Sequence, residues 1–189
     1  MAVEIVYETH ATTIDNEAGI ATGWLPGELS ELGRCQAREL GRRRPGDGFA
    51  AVFTSDLHRA VQTAGIAFPD GRPPVHQDIR LRECNYGDHN GSPASLVAAQ
   101  RMQRIDTPFP RGQSYRQVVT ATAAFLHDLA ADWNNSTILV IAHSANRWAL
   151  EHLLTGAPLG DLLKAPSPWH PGWHYTLPTD WPVPTRTSR

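Results

Sequence analysis

The chain has 189 residues, 41% of them hydrophobic and 19% charged, a balance that suits one packed globular domain and argues against disorder. Seventeen basic against nineteen acidic residues leave a formal charge of −2, so no overall field gathers nucleic acid or an anionic membrane surface. No run approaches the roughly 18 apolar residues of a membrane span, and Met1 to Tyr7 lack a basic stretch followed by an apolar core; a cytoplasmic location is expected.

Val3 to Tyr7 is a short apolar run that predicts a buried strand, followed by a polar loop. Ser30 is placed to cap a helix running to about Arg44, with Leu32, Cys35 and Leu40 as its inner face and Pro45 to Gly48 ending it. The arginines Arg42 to Arg44 read as a solvated helix end that complements the dipole. Ala50 to Phe53 predicts a second strand, and Leu57, Ala60, Val61 and Ala64 recur beyond it at helical spacing. From Phe68 to about Pro93 the chain is rich in Pro, Gly and Asp and reads as irregular, with a short strand near Val75. Val118, Ala121, Phe125, Leu126 and Leu129 mark an amphipathic helix. Thr137 to Ala142 is continuously apolar, as a central parallel strand covered on both faces would be. A helix from about Asn146 to Leu154 and a last strand from Trp173 to Leu177 follow. Alternating strands and helices predict an α/β fold, a three-layer sandwich with a central, largely parallel sheet, in a single domain over residues 1–177. Residues 178–189, with three prolines and no periodicity, read as an extended tail. Cys35 and Cys84 are isolated thiols expected to be packed as small apolar groups, with no metal cluster and no cofactor implied.

In open α/β sheets ligands gather beyond the carboxyl ends of the strands. Past the three apolar runs stand His10, then Ser55 with Arg59, then His143 with Ser144, while Glu83 lies in the irregular excursion. Two histidines at equivalent strand ends with an arginine between them indicate a site. A serine esterase built on Ser144, in a strand-to-helix turn like a nucleophile elbow, is a different mechanism. It lacks both glycines of that motif. His170 and His174 are separated by Pro171 and Gly172, which excludes a regular helical metal pair; with Trp169 and Trp173 they are expected to pack or to edge the pocket.

Five segments carry a family resemblance. They are Thr9-His10-Ala11-Thr12-Thr13-Ile14-Asp15-Asn16, then Leu29-Ser30-Glu31-Leu32-Gly33-Arg34-Cys35-Gln36-Ala37, then Ser55-Asp56-Leu57-His58-Arg59-Ala60-Val61-Gln62-Thr63-Ala64, then Leu81-Arg82-Glu83-Cys84-Asn85-Tyr86-Gly87, and Val140-Ile141-Ala142-His143-Ser144. In this order the chain resembles the histidine phosphatase superfamily, in the branch of cofactor-dependent phosphoglycerate mutases and small broad-specificity phosphatases. The resemblance implies a phosphoglycerate mutase-like fold and a hydrolase of small-molecule phosphomonoesters. His10 would be the nucleophile that forms a phosphohistidine, Arg59 and His143 would hold the phosphoryl oxygens, and Glu83 would be the general acid. Thr13 and Asn16 would add neutral donors. The family places an arginine immediately before the nucleophile and a glycine after it; here these are Thr9, preceded by Glu8, and Ala11. Three readings follow. In a working phosphatase another arginine, Arg82 or Arg80, replaces the missing donor. In an enzyme repurposed for non-phosphoryl chemistry, Glu8 supplies an added acid, base or cation ligand. A catalytically silent relative would only bind. His89, Asn90 and Arg111 are candidate substrate contacts in the wall after Glu83, Gln113 stands where relatives often carry Glu, and a homodimer is compatible with the sequence.

Overall fold

The strand Thr137–Ala142 has five of its six residues buried, and the rest of the fold is arranged around it. The structure is a computed structural model and describes residues 2–44, 48–164 and 171–181. In chain order the strands are β1 (Ala2–Thr9), β2 (Ile20–Ala21), β3 (Ala51–Thr54), β4 (Val75–Gln77), β5 (Ser92–Pro93), β6 (Thr137–Ala142) and β7 (Trp173–Pro178). The helices are α1 (Ile14–Glu17), α2 (Glu31–Arg43), α3 (His58–Ala67), α4 (Ala94–Gln100), α5 (Tyr115–Asp132), α6 (Ser144–Thr155) and α7 (Leu159–Lys164).

The main sheet runs β4-β3-β6-β1-β7, parallel except for β7, which lies antiparallel on the edge against β1. Alternation along the strands divides the core in two. Ile5, Tyr7, Ile138 and Val140 pack with Phe125, Leu126 and Leu129 of α5 and Leu150 of α6. Val6, Leu139 and Ile141 pack on the other face with Leu40 of α2 and Ala64 and Ala67 of α3. This is the three-layer α/β sandwich read from the sequence.

The buried face of α2 is Gly33, Ala37 and Leu40, a regular i, i+4, i+7 stripe. Leu32 is 54% exposed and Cys35 is also exposed, so neither belongs to the inner face. The helix is rotated by its contact with the loop after β1: a Cβ on Gly33 would stand 1.9 Å from the Thr12 carbonyl oxygen, so only glycine fits there. Ser30 caps α2 as expected, accepting from the Gly33 amide at 3.2 Å.

The segment between Phe68 and Ser114 is more ordered than its composition suggests. Besides β4 it contains three short 3₁₀ turns, β5 and the unpredicted α4. It carries a core of its own, in which Cys84, Tyr86, Val97 and Phe109 pack with Tyr115, Trp148, Leu159 and Leu163. The last two belong to α7, which was likewise not predicted. At the other end, Pro178 still pairs with Ala2 in the sheet and Trp181 packs against the main core, so the expected tail begins later than 178. Residues 182–189 lie outside the described residues.

Candidate active site

Three adjacent strands, β3, β6 and β1, end on the same side of the sheet and deliver Ser55, His143 and His10 to one spot. The His10 amide donates to the Ala142 carbonyl at 2.9 Å, continuing the ladder past the end of β1. The His10 and His143 rings lie 5.1 Å apart between centroids.

The hydrogen bonds of His10 assign its tautomer. Its Nδ1 is 2.8 Å from the Ala11 carbonyl oxygen, an acceptor only, so Nδ1 carries the proton. Its Nε2 accepts from Arg59 Nε at 3.2 Å and is therefore unprotonated, with its lone pair directed at that cation. Burial, and then the neighbouring Arg59 cation, lower its pKa from 6.5 to about 3. His143 is wholly buried and is held well below the usual histidine range by burial, Arg59 and His10. Its Nε2 is 2.7 Å from Ser55 Oγ, its backbone carbonyl accepts from the Tyr7 hydroxyl at 2.6 Å, and its Nδ1 is buried without a partner. Both imidazoles are neutral at neutral pH.

Arg59, in the first turn of α3, is only 2% exposed. Its Nη2 donates to the Gly23 carbonyl at 2.9 Å and its Nη1 to that of Leu25 at 3.4 Å, so the loop before α2 aims the guanidinium at His10. Gly23 has φ +56° and lies against the Asn90 side chain, where a Cβ would collide at 1.8 Å. Across from these groups stands Glu83, 8% exposed, with Oε1 accepting from the Cys84 amide at 2.8 Å. Burial raises its pKa above the ordinary carboxylate value, against the lowering pull of that amide and Arg59. The indole of Trp24 donates to the Glu83 carbonyl at 2.6 Å. His10, Asn16, Arg59, Glu83 and Ser144 line a cavity of about 150 Å³, with Ile20 to Gly23, Tyr86, Ala94, Val97, Arg101 and Trp148 completing its walls. The pairing of β2 with β5 brings its two sides together.

Several residues singled out in the sequence stand elsewhere. Glu8 is 4% exposed and turned away from that cavity, its Oε1 accepting from Arg44 Nη2 at 3.1 Å and Arg43 Nη1 at 3.5 Å. Arg43 and Arg44 thus clamp this carboxylate, while Arg42 is solvated as expected and pairs with Glu39. Thr9 lies on a separate cavity of about 420 Å³ between the end of β1 and α2, which His10 also borders. Thr13 is buried as the cap of α1, exchanging hydrogen bonds of 3.0 Å with Asn16. Arg82 does not enter the cavity: its fork grips Asp56 at 2.6 and 2.5 Å and it stacks over Trp24, 4.6 Å from the ring centroid. Arg80 is equally committed, to Asp78 and Asp128. Neither arginine replaces the one missing at Thr9.

Asn90, His89, Arg111 and Gln113 are structural parts of the excursion. Asn90 Oδ1 accepts from the Tyr86 amide at 3.0 Å, His89 meets Gln100 at 3.1 Å, Arg111 pairs with Asp88, and Gln113 Oε1 accepts from the Asn85 amide at 3.0 Å. Cys84 is buried as expected. His174 is exposed and Trp173 packs edge-on against Tyr7, while Trp169 and His170 lie outside the described residues. Ser144 is hydrogen-bonded to no imidazole among the described residues; His143 bonds Ser55 instead. Among the described residues no three His, Cys, Asp or Glu side chains cluster as metal ligands would, and no helix is long and apolar enough to cross a membrane. The sequence reading did not name Arg101, Tyr86 or Trp148 as site residues: Arg101 follows the unpredicted α4, Tyr86 stands in the irregular excursion, and Trp148 is a buried residue of the predicted helix after β6.

A family model described as the histidine phosphatase superfamily (branch 1) matches residues 9–170. The chain belongs to that superfamily. It is 30% identical over 192 residues to the 2,3-bisphosphoglycerate-dependent phosphoglycerate mutase of Methylocella silvestris, covering 86% of this chain and 93% of that one. Among solved structures it is similar to YhfR of Bacillus stearothermophilus, with 25% identity and a TM-score of 0.81 over 89% of this chain and 88% of that chain. A mycobacterial glucosyl-3-phosphoglycerate phosphatase gives 25% identity and 0.74 over 86% and 84%. Like these histidine phosphatase superfamily relatives, the chain is a hydrolase-like enzyme with a phosphoglycerate mutase-like fold.

Proposed function

We propose that the chain is a phosphomonoester phosphatase that acts on a small molecule through a phosphohistidine at His10. The observation that carries this reading is the tautomer of His10. With Nδ1–H tied to the Ala11 carbonyl, the unprotonated Nε2 borders the same cavity as Arg59 and Glu83.

In the first step Nε2 attacks phosphorus, the bond from phosphorus to the ester oxygen breaks, and protonated Glu83 gives its proton to the departing alcohol. In the second, Glu83 takes a proton from water as that water attacks the phosphohistidine, releasing inorganic phosphate and restoring neutral His10. Arg59 turns its Nε from His10 to a phosphoryl oxygen as the new bond forms. When Ser55 donates to His143 Nε2, the unpartnered Nδ1 carries a proton that a second phosphoryl oxygen accepts. The amides that open the twelve-residue helix α6 add a partial positive charge at the same spot.

With Glu8 engaged by two arginines, the added acid or cation ligand required by non-phosphoryl chemistry is missing from the cavity. The aligned set of His10, Arg59 and Glu83 has no purpose in a silent binder. The purified protein is expected to release phosphate from p-nitrophenyl phosphate and small alkyl phosphates, and to give an acid-labile phosphoenzyme on rapid quenching. Absence of release across such a panel, or release unaffected by His10→Ala, refutes the reading.

A further inference from the structure

The proton on His10 Nδ1 is held by one carbonyl oxygen, and the peptide that carries this oxygen is itself gripped from behind. The Ala11 carbonyl, 2.8 Å from Nδ1, and the Thr12 N–H belong to one trans peptide plane and point to opposite sides of it. On the far side the Thr12 amide donates to Gln36 Oε1 at 2.9 Å. Gln36 stands in the second turn of α2, half-buried, on the wall of the cavity of about 420 Å³ between α2 and the end of β1. One plane therefore joins the nucleophile to α2.

The neighbouring planes are pinned by other groups. The Ala11 amide, in the plane before, donates to Thr63 Oγ1 at 3.0 Å, and the Thr12 carbonyl, in the plane after, accepts from the Ser30 amide at 3.0 Å. Neither contact touches the plane of the Ala11 oxygen, so its rotation is left to Gln36. In the resting site Arg59 Nε also keeps His10 Nε2 unprotonated. That support ends when Arg59 turns to the phosphoryl group, and as Nε2 bonds to phosphorus the ring becomes cationic. From then until phosphate leaves, the Ala11 carbonyl is what accepts the ring's remaining proton. Burial and then Arg59 lower the His10 pKa, whereas the Ala11 bond pulls it upward, as a contact that favours the ring cation does.

We propose that Gln36 is a positioning residue of the phosphoryl transfer: it fixes the peptide between Ala11 and Thr12, and that peptide keeps the His10 proton on Nδ1 throughout the reaction. This rests on the phosphatase reading of the cavity. The role requires an acceptor at the end of the side chain and nothing more, because the Thr12 amide only donates. Glutamate therefore serves in its place, whereas methionine and alanine do not. Because Gln36 borders the larger cavity, water reaches the Thr12 amide in those two variants. No buried donor is stranded and the chain folds, but the plane is free to turn.

The test follows the tautomer and the rate together. Imidazole nitrogen NMR of the histidine-labelled protein, saturated with inorganic phosphate so that Arg59 is engaged, should show His10 with Nδ1 protonated and Nε2 bare; the signals are assigned by their loss in His10→Ala. In Gln36→Met and Gln36→Ala they should move towards a mixture of tautomers. With p-nitrophenyl phosphate kcat should then fall about tenfold to a hundredfold and KM change less than about threefold, the effect of losing a hydrogen bond to a charged group. Gln36→Glu should keep the parent's signals and a kcat within about fivefold of it, since its carboxylate still accepts from Thr12. Unmoved signals in the folded methionine and alanine variants overturn the proposal, as do moved signals at an unchanged kcat, or a Gln36→Glu that behaves as those variants do. The spectra need no turnover, which separates this outcome from failure of the phosphatase reading. If no ester is hydrolysed yet the tautomer follows Gln36, the phosphatase reading falls and the positioning stands. If hydrolysis depends on His10 while its tautomer is indifferent to Gln36, the positioning falls and the phosphatase stands.

Discussion

The floor and the wall of the cavity are built by different means. The floor is His10, with His143 and Ser55 buried behind it, and it hangs from the ends of three neighbouring strands whose backbone ladders position these residues. The wall, Glu83 and Arg101, belongs to a segment of 3₁₀ turns and two-residue strands held by an aromatic cluster, in which Tyr86, Phe109, Tyr115 and Trp148 meet edge to face. A strand end tolerates little change, whereas a wall of packed side chains can be rebuilt while the sheet stays intact. On the proposed reading a division of labour follows, with the phosphoryl chemistry assigned to the floor and the leaving group to the wall.

The sharpest way to break this comparison is at the floor. His10→Ala removes the proposed nucleophile and is expected to lower kcat by at least about 10⁴-fold for every ester, whatever its leaving group. At the wall, Glu83→Gln keeps the shape and removes the proton. It is expected to cost about 10²–10⁴-fold in kcat/KM for alkyl phosphates and much less in kcat/KM for p-nitrophenyl phosphate, whose departing phenolate needs no proton, while hydrolysis of the shared phosphoenzyme slows for both. Because burial raises the Glu83 pKa, the parent's kcat/KM for alkyl phosphates should decline as pH rises through that raised value, a limb that p-nitrophenyl phosphate should lack. Equal losses in kcat/KM for the two ester types would show that Glu83 serves the phosphoryl group instead.

The same contrast explains what was legible in the sequence. The floor was readable because a fully apolar run such as Thr137 to Ala142 announces a central strand, and ligands gather where such strands end. Glu83 was legible only through its motif. Arg101 was not legible: its place depends on Val97, Phe109, Tyr115 and Trp148 packing together from distant parts of the chain, which no local period encodes. Glu8 shows the opposite error. Its neighbourhood to His10 in sequence suggested a role in the pocket, but the buried carboxylate is claimed by Arg43 and Arg44 from the far end of α2.

A smaller effect concerns stability, to which the floor and the wall contribute with opposite sign. His10 and His143 have lowered pKa values when folded, while in the unfolded chain each titrates near 6.5. Below about pH 6.5 the unfolded state takes up protons that the folded state refuses. The contribution of these residues is therefore full above that pH and shrinks as pH falls towards about 3. Glu83, with a raised value, acts in the opposite sense, its contribution present at low pH and lost as pH rises. Two histidines against one carboxyl should make the melting temperature fall between pH 7 and pH 5, and His143→Asn should flatten that fall. An unchanged slope in the variant would show that His143 titrates normally.

The smallest expected effect lies at the joint between floor and wall. Arg82 reaches from beside Glu83 to Asp56, next to Ser55, and its ring contact with Trp24 backs the indole that holds the Glu83 carbonyl. Its backbone carbonyl also accepts from Asn146 of α6 at 3.0 Å. The side chains of this ion pair are 29% and 27% exposed, so solvent screens it and its loss is worth about 1 kcal/mol. For a chain of this length, Arg82→Ala should lower the melting temperature by about 2–4 °C. The carboxyl it steadies should lose less than about tenfold in kcat for alkyl phosphates, with p-nitrophenyl phosphate nearly unaffected. Arg82→Lys should recover little, because a point charge reproduces neither the fork on Asp56 nor the flat contact with Trp24. If Arg82→Ala instead cost a hundredfold for both esters at an unchanged melting temperature, Arg82 would be a phosphoryl donor, and the cavity would have to close further around the substrate than its unliganded shape implies.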